Sequence, residues 1–209
     1  MLYPAFIRLE GRKCVVVGGG RVAARKVEML LNCGARVWVV SPAVVEELSS
    51  RISDGRVQWV NRGFEKGDTT DAFLVVSATD DREVNDVVAR ECAAQNILLN
   101  VVDQPEFCNF YVPSAIRRGP LTIAVSTEGK SPLLARKIRE RLEELIPPAY
   151  GEFTEYLGAL RARIIADHPE AKGDLLEGIV SPEVLACMEK GDLETAKELM
   201  KIVLDRYRS

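Results

Sequence analysis

Three consecutive glycines, Gly18-Gly19-Gly20, stand directly after the apolar run Cys14-Val15-Val16-Val17 and directly before a stretch of helical periodicity. Read onward as Gly18-Gly19-Gly20-Arg21-Val22-Ala23, they fit G-x-G-x-x-A, the turn joining the first strand to the first helix of a dinucleotide-binding unit. Each position answers a physical demand. Gly18 permits the tight turn, and Gly20 lets the backbone approach a pyrophosphate. Ala23 lets the helix pack close to the sheet while its N-terminus faces the anion. The competing reading is a purely structural glycine turn; the strand and helix on either side weigh against it.

The first half of the chain continues as that reading requires, alternating strand-like and helix-like segments in the manner of a Rossmann-type, doubly wound parallel sheet of the α/β class. From Arg21 to Asn32 the spacing places Val22, Ala23, Val27, Leu30 and Leu31 on one helical face, and Cys33-Gly34 stops the helix. Val37 to Val40 reads as a second strand, and Pro42 to Ser53 as a helix begun by Ser41 as cap. Further strands are expected at Val57 to Val60, Phe73 to Ser77 and Ile97 to Val101, with a helix from Asp81 to Gln95 between the last two.

The second strand departs from the fingerprint. It ends Val40-Ser41-Pro42-Ala43, without the acid that normally holds the adenosine ribose, and no Arg or Lys follows before Arg51 to receive a 2′-phosphate. NAD is therefore expected in preference to NADP, with Ser41 and the Pro42-Ala43 backbone against the ribose. Thr79, just past the end of the fourth strand, is expected where a nicotinamide half passes, since ligands gather at the carboxyl ends of strands near the switch point.

After the parallel unit the texture changes. Phe110 to Ile116 and Leu121 to Val125 are two β-runs joined by Arg117-Arg118-Gly119-Pro120, a hairpin and not a continuation of a parallel sheet. Ser131-Pro132 starts an amphipathic helix with Leu133, Leu134, Ile138, Leu142 and Leu145 at helical spacing, closed by Pro147-Pro148. The remainder is helical in pattern, with Ser181-Pro182 and Asp192 starting the last two helices. The expected division is a nucleotide-binding domain over 1–109, a hairpin and helix over 110–147, and a small all-helical domain over 148–209.

Composition narrows the function classes. A net charge of −3 gives no basic excess for nucleic acid, and no apolar run reaches the roughly 18 residues of a membrane span. The start, Met1 to Phe6, lacks the features of a secretory leader, so a cytoplasmic protein is expected. The 5 cysteines are odd in number, and none stands in a C-x-x-C arrangement. Cys14 and Cys92 fall on apolar faces as small core residues. The single histidine, His168, reads as a linker residue, which leaves no basis for a His-built metal centre or triad, and no metal site is expected.

A longer series of segments then becomes specific. Tyr3-Pro4-Ala5-Phe6 precedes the glycine turn and its continuation to Arg25-Lys26. Later come Ala78-Thr79-Asp80-Asp81, Asn100-Val101-Val102-Asp103, Phe110-Tyr111-Val112-Pro113-Ser114, and Ser126 to Arg136. In this order and spacing the chain resembles the precorrin-2 dehydrogenase/sirohydrochlorin ferrochelatase family, the dehydrogenase and chelatase module of siroheme synthases and its free-standing relatives. That resemblance covers about residues 3 to 145. It implies a homodimer joined through the hairpin and following helix, NAD contacts at Gly20, Arg21, Val22, Pro42 and Ala43, and an essential aspartate at Asp103. It also implies precorrin-2 as substrate and sirohydrochlorin as product, with Fe²⁺ as a candidate second substrate.

The residues are compatible with such a substrate. Precorrin-2 is a polycarboxylate, and Val112 to Arg141 holds Arg117, Arg118, Lys130, Arg136, Lys137, Arg139 and Arg141 against Glu128 and Glu140. A solvated helix face accounts for part of this set. Thr127 to Ser131, a polar loop leading into a Pro-started helix, is a candidate carboxylate receiver through Thr127, Lys130 and Ser131, with Arg136 beyond. Asp103, at the carboxyl end of the last parallel strand, suits a general base; a loop-capping Asp beside Pro105 is the alternative. The rival function class is a non-catalytic NAD-sensing module, which usually keeps the second-strand acid missing here.

Overall fold

Valine-rich segments build the sheet of the first unit: β1 (Lys13–Val17), β2 (Arg36–Val40), β3 (Val57–Val60), β4 (Leu74–Ser77) and β5 (Leu98–Val101). They pair in parallel in the order β3-β2-β1-β4-β5. The computed structural model describes residues 1–167 and 172–206, and the chain divides into two compact units, Met1–Val112 and Pro113–Ser209. His168, expected in a linker, lies outside the described residues.

Because side chains alternate across a strand, one set of valines faces each side of the sheet. Val16, Val37, Val39 and Val76 pack against helices α1 (Arg21–Leu31) and α2 (Glu46–Ser53), through Ala23, Val27, Leu30 and Leu48. Val15, Val17, Val75, Leu99 and Val101 pack against α3 (Arg82–Gln95), through Val88 and Cys92. Cys14 and Cys92 are both fully buried, as their apolar faces predicted, and burial pushes the thiols up to about 11 and about 12 respectively. With β1 and β4 central and their helices on opposite faces, the chain reverses direction across the sheet between them. That is the switch point where open α/β sheets hold ligands.

Three local expectations are corrected. The helix predicted from Pro42 begins at Glu46 instead, with Val45 as its N-cap. Ser41 does not cap it: its hydroxyl donates to the Ala43 carbonyl at 2.7 Å, and that turn keeps residues 41–45 out of the helix. Of the five residues placed on one face of α1, Val22 is the one left 38% exposed, on the turn next to the glycines. The β-run expected from Phe110 begins only at Ser114. Amide side chains hold residues 109 and 110 along the edge of β5: Asn109 Nδ2 donates to the Ile97 carbonyl at 2.8 Å, and Asn100 Nδ2 to the Phe110 carbonyl at 3.3 Å.

In the second unit β6 (Ser114–Arg118) and β7 (Leu121–Val125) form an antiparallel pair closed by Gly119-Pro120, so Arg117 and Arg118 belong to the strand and not to the turn. Helix α4 (Pro132–Leu145) follows, started as expected by Ser131, whose Oγ accepts from the Leu134 N–H at 3.2 Å. Then come α5 (Ala149–Asp167), α6 (Lys172–Ile179), α7 (Pro182–Glu189) and α8 (Leu193–Arg206). Phe153, Leu160, Leu175, Ile179, Met188 and Met200 form their shared core. Ser181 and Asp192 cap α7 and α8. Leu133, Leu134, Ile138 and Leu145 of α4 are exposed.

Candidate functional site

Each glycine of the triplet sits in a different environment. Gly18 has φ +112°, and a Cβ on it would lie 2.5 Å from the Ala78 carbonyl oxygen, so the turn and the loop after β4 touch through bare backbone. A Cβ on Gly19 would run into the Ala43 carbonyl, because the loop after β2 folds over it and the Val45 N–H donates to the Gly19 carbonyl at 2.9 Å. Gly20 is extended and caps α1 without a side-chain hydrogen bond, and among the described residues nothing lies within 4 Å of where its Cβ would be. No described neighbour therefore demands a glycine at position 20. The open space at an uncapped helix N-terminus fits a pyrophosphate, which would be held there by backbone N–H groups at Arg21 and Val22.

The loop after β2 is tightly made. Ser41 is buried, its hydroxyl is committed to Ala43, and its carbonyl accepts from Trp59 Nε1 at 2.9 Å. Pro42 and Ala43 are the parts of this loop left exposed. Arg51, the first cation after β2, is paired with Glu28 at 3.1 Å.

A cleft of about 180 Å³ opens beyond the carboxyl ends of β4 and β5. It is lined by Val22 of α1, by Ala78, Thr79 and Asp80 after β4, and by Val102, Asp103 and Gln104 after β5. The structure thus brings Val22, Thr79 and Asp103 together around one space beside the glycine turn. Asp103 is exposed and adopts φ +59°, a left-handed conformation that Asp tolerates better than most residues. The turn carrying it is closed from behind by Cys108, whose Sγ accepts from the Val101 N–H at 3.2 Å and donates to the Val101 carbonyl at 3.3 Å. Burial raises the pKa of that thiol, which keeps its proton available for the bond.

The four candidate residues of the second unit cluster at the start of α4. Thr127 Oγ1 accepts from the Ser131 N–H at 3.0 Å and the Thr127 carbonyl from the Lys130 N–H at 2.9 Å. The Thr127 and Ser131 hydroxyls therefore shape the loop and cap the helix. Lys130 is exposed, while Arg136 lies 3.7 Å from Glu140. Glu140 also meets Lys137 and Arg139, and Arg139 pairs with Glu143, so part of the cationic face is neutralised locally. Sequence reasoning did not single out Gly19, which occupies a variable position of the fingerprint. It also missed Gln104.

Residues 5–114 match the family model described as "Putative NAD(P)-binding", and residues 118–145 match "Sirohaem biosynthesis protein central". The chain is 42% identical to the siroheme synthase of Thioalkalivibrio sulfidiphilus, over 97% of this chain and 43% of that protein. It is 41% identical to the siroheme synthase of Methylobacillus flagellatus, over 96% and 44%. It thus spans about two fifths of the length of these curated relatives. Among solved structures, SirC, a precorrin-2 dehydrogenase, superposes with a TM-score of 0.80 at 28% identity, covering 98% of this chain and 100% of that one.

Proposed function

The chain belongs to the NAD(P)-binding family of sirohaem biosynthesis proteins, and from that premise we propose that it is an NAD-dependent precorrin-2 dehydrogenase, forming sirohydrochlorin. The observation that carries the reading is the shared cleft: Val22 beside the glycine turn, Thr79 after β4 and Asp103 after β5 border one space at the switch point.

Oxidation of precorrin-2 removes a hydride and a proton and extends the conjugation of the ring. Bound NAD supplies the hydride acceptor. The N-terminal end of α1 beside Gly20 would hold the pyrophosphate, and Pro42 and Ala43, in the loop that Ser41 shapes, would border the ribose. Thr79 and Val22 border the nicotinamide side of the cleft. Asp103, which lines the same cleft, accepts the proton that leaves the ring. Its left-handed turn, closed by Cys108, holds the carboxylate out from the strand end. Lys130, with Arg136 further along α4, offers cationic contacts for the acetate and propionate groups of the substrate, and Thr127 and Ser131 set the loop that carries Lys130. The exposed Leu133, Leu134, Ile138 and Leu145 support assembly as a homodimer through α4.

The decisive experiment supplies precorrin-2 and NAD anaerobically and follows NADH formation and the tetrapyrrole absorption, then adds Fe²⁺ as a second substrate. Conversion to sirohydrochlorin with one NADH per ring is expected. No NADH above the enzyme-free control would refute the assignment, and a metallated spectrum after Fe²⁺, above that control, would add chelatase activity to it.

A further inference from the structure

Two wholly buried polar side chains stand out in an otherwise aliphatic sheet core. Ser77 closes β4, and Asn85 points inward from α3; both are 0% exposed. Ser77 Oγ donates to Asn85 Oδ1 at 2.6 Å, and Asn85 Nδ2 donates to the Thr79 carbonyl at 3.2 Å. Thr79 Oγ1 in turn accepts from the Asp81 N–H at 3.3 Å, and Asp81 caps α3 by accepting from Glu83 and Val84. A continuous chain of hydrogen bonds thus runs from the strand end, through the helix, into the loop that walls the cleft.

Packing gives no reason for this pair. Two aliphatic side chains of similar size would fill the same space, whereas buried polar groups are tolerated only when their bonds are made. What the pair does achieve is local. The next residue, Ala78, is already fixed by its N–H bond to the Val17 carbonyl at 2.8 Å and by its contact with Gly18. Asn85 extends that fixation by one residue, to the carbonyl of Thr79, where the cleft begins.

We propose that Asn85, oriented by Ser77, is a positioning residue of the cofactor site, holding the Thr79 wall in place for the nicotinamide half of the dinucleotide. The inference rests on the reading of the cleft as the NAD site. The adenosine half meets the glycine turn and the loop after β2, and the bonds of Ser77 and Asn85 run instead to each other and to Thr79. The two halves should therefore respond differently.

The test is isothermal titration of the full chain with NAD and with ADP-ribose, which keeps the adenosine and pyrophosphate and lacks the nicotinamide. Melting temperatures are recorded for the same samples. Asn85→Leu keeps the branched four-atom shape without the polar atoms, Asn85→Ala truncates it, and Ser77→Ala removes one hydroxyl. Both Asn85 variants should weaken NAD binding tenfold or more while ADP-ribose stays within threefold, and Leu should recover melting temperature relative to Ala without recovering NAD affinity. Ser77→Ala should weaken NAD three- to tenfold with the same selectivity, and it decides the matter if the Asn85 variants do not fold. NAD affinity unchanged, or both ligands weakened alike, overturns the inference. A wild-type chain that binds neither ligand overturns the cofactor reading as well.

Discussion

Replacing each glycine of the triplet by alanine should separate folding from cofactor binding within three adjacent residues. At Gly18 an alanine must adopt φ +112°, which costs about 1–3 kcal/mol, and its Cβ must displace the Ala78 carbonyl, which adds about 1–3 kcal/mol of overpacking. At Gly19 the backbone angle is not the difficulty; the Cβ collides with the Ala43 carbonyl, and the loop after β2 must move, at a cost of about 1–3 kcal/mol. At Gly20 the backbone is at φ −81° and ψ −175°, open to any residue, and the Cβ meets nothing among the described residues. There the reduced freedom of the unfolded chain gains about 0.4–1 kcal/mol, and alanine as a poorer N-cap loses a similar amount. Gly20→Ala should accordingly melt within about 3 °C of wild type, whereas Gly18→Ala should melt about 8–24 °C lower, at roughly 4 °C per kcal/mol for a unit of this size. NAD affinity should behave in the opposite way, with Gly20→Ala losing about 10- to 100-fold, or roughly 1.4–2.7 kcal/mol, because its methyl group occupies the pyrophosphate's place. Differential scanning calorimetry of the free protein and titration with NAD measure the two quantities. If Gly20→Ala binds NAD within threefold of wild type, the space over Gly20 is not the pyrophosphate site. If it melts with Gly18→Ala, the assignment of structural and binding roles within the triplet is wrong.

Four further outcomes follow from the same geometry. NAD should support turnover better than NADP in steady-state kinetics, since the loop after β2 presents Pro42 and Ala43, and Arg51 is already paired; a clear NADP preference would contradict this. Asp103→Asn, which accepts the left-handed turn, should keep NAD affinity within threefold and lower single-turnover oxidation by about 10²- to 10⁴-fold, so a rate within threefold of wild type would remove Asp103 as the base. Leu134→Glu should convert a dimer to a monomer in light scattering at micromolar concentration, and a monomeric wild type would refute the dimer itself. Asp68 bonds bidentately to Arg62 at 2.8 Å, and that hydrogen bond first, with the guanidinium charge, holds its pKa below the usual carboxylate range. The depressed pKa means the pair stabilises the fold above about pH 4 and ceases to as pH falls through the folded-state value. Asp68→Asn should thus lower stability by about 1 kcal/mol or less at pH 7, and the deficit should shrink as pH falls through the folded-state value, as read by urea titration; a deficit that stays constant into acid would be one of packing.

The parallel sheet was legible because its strands carry unbroken apolar runs and its turns carry glycine and cap residues, signals that act within a few residues. In β4, Leu74 to Ser77 is apolar or small throughout and every residue is buried, so the run marks a strand covered on both faces without any alternation. The errors arose where a distant partner overrode a local preference. Pro42 after Ser41 is a sound helix start in isolation, yet the Ser41 hydroxyl turned to Ala43 and the Val45 N–H to Gly19, and the second of these bonds exists only once the glycine turn is in place. Phe110 to Pro113 has strand composition, but the amides of Asn100 and Asn109 hold the neighbouring backbone against β5.

The site divides along the same line. Gly18, Gly20 and Thr79 of the proposed site were expected from the fingerprint and from the ends of strands, because a glycine turn and a strand terminus are properties of short segments. Asp103 could be placed at a strand end, but its left-handed backbone and the thiol closing its turn depend on Cys108, five residues on, folding back onto Val101. Gly19 is the clearest case of what a pattern omits. In the fingerprint it is the position free to vary, and here it is the one whose Cβ would strike another loop's backbone, so its glycine records the fold of residues 41–45 and not the ligand. Gly20 is the reverse case: among the described residues nothing opposes a Cβ there, and the proposed pyrophosphate is what would require a glycine at that position.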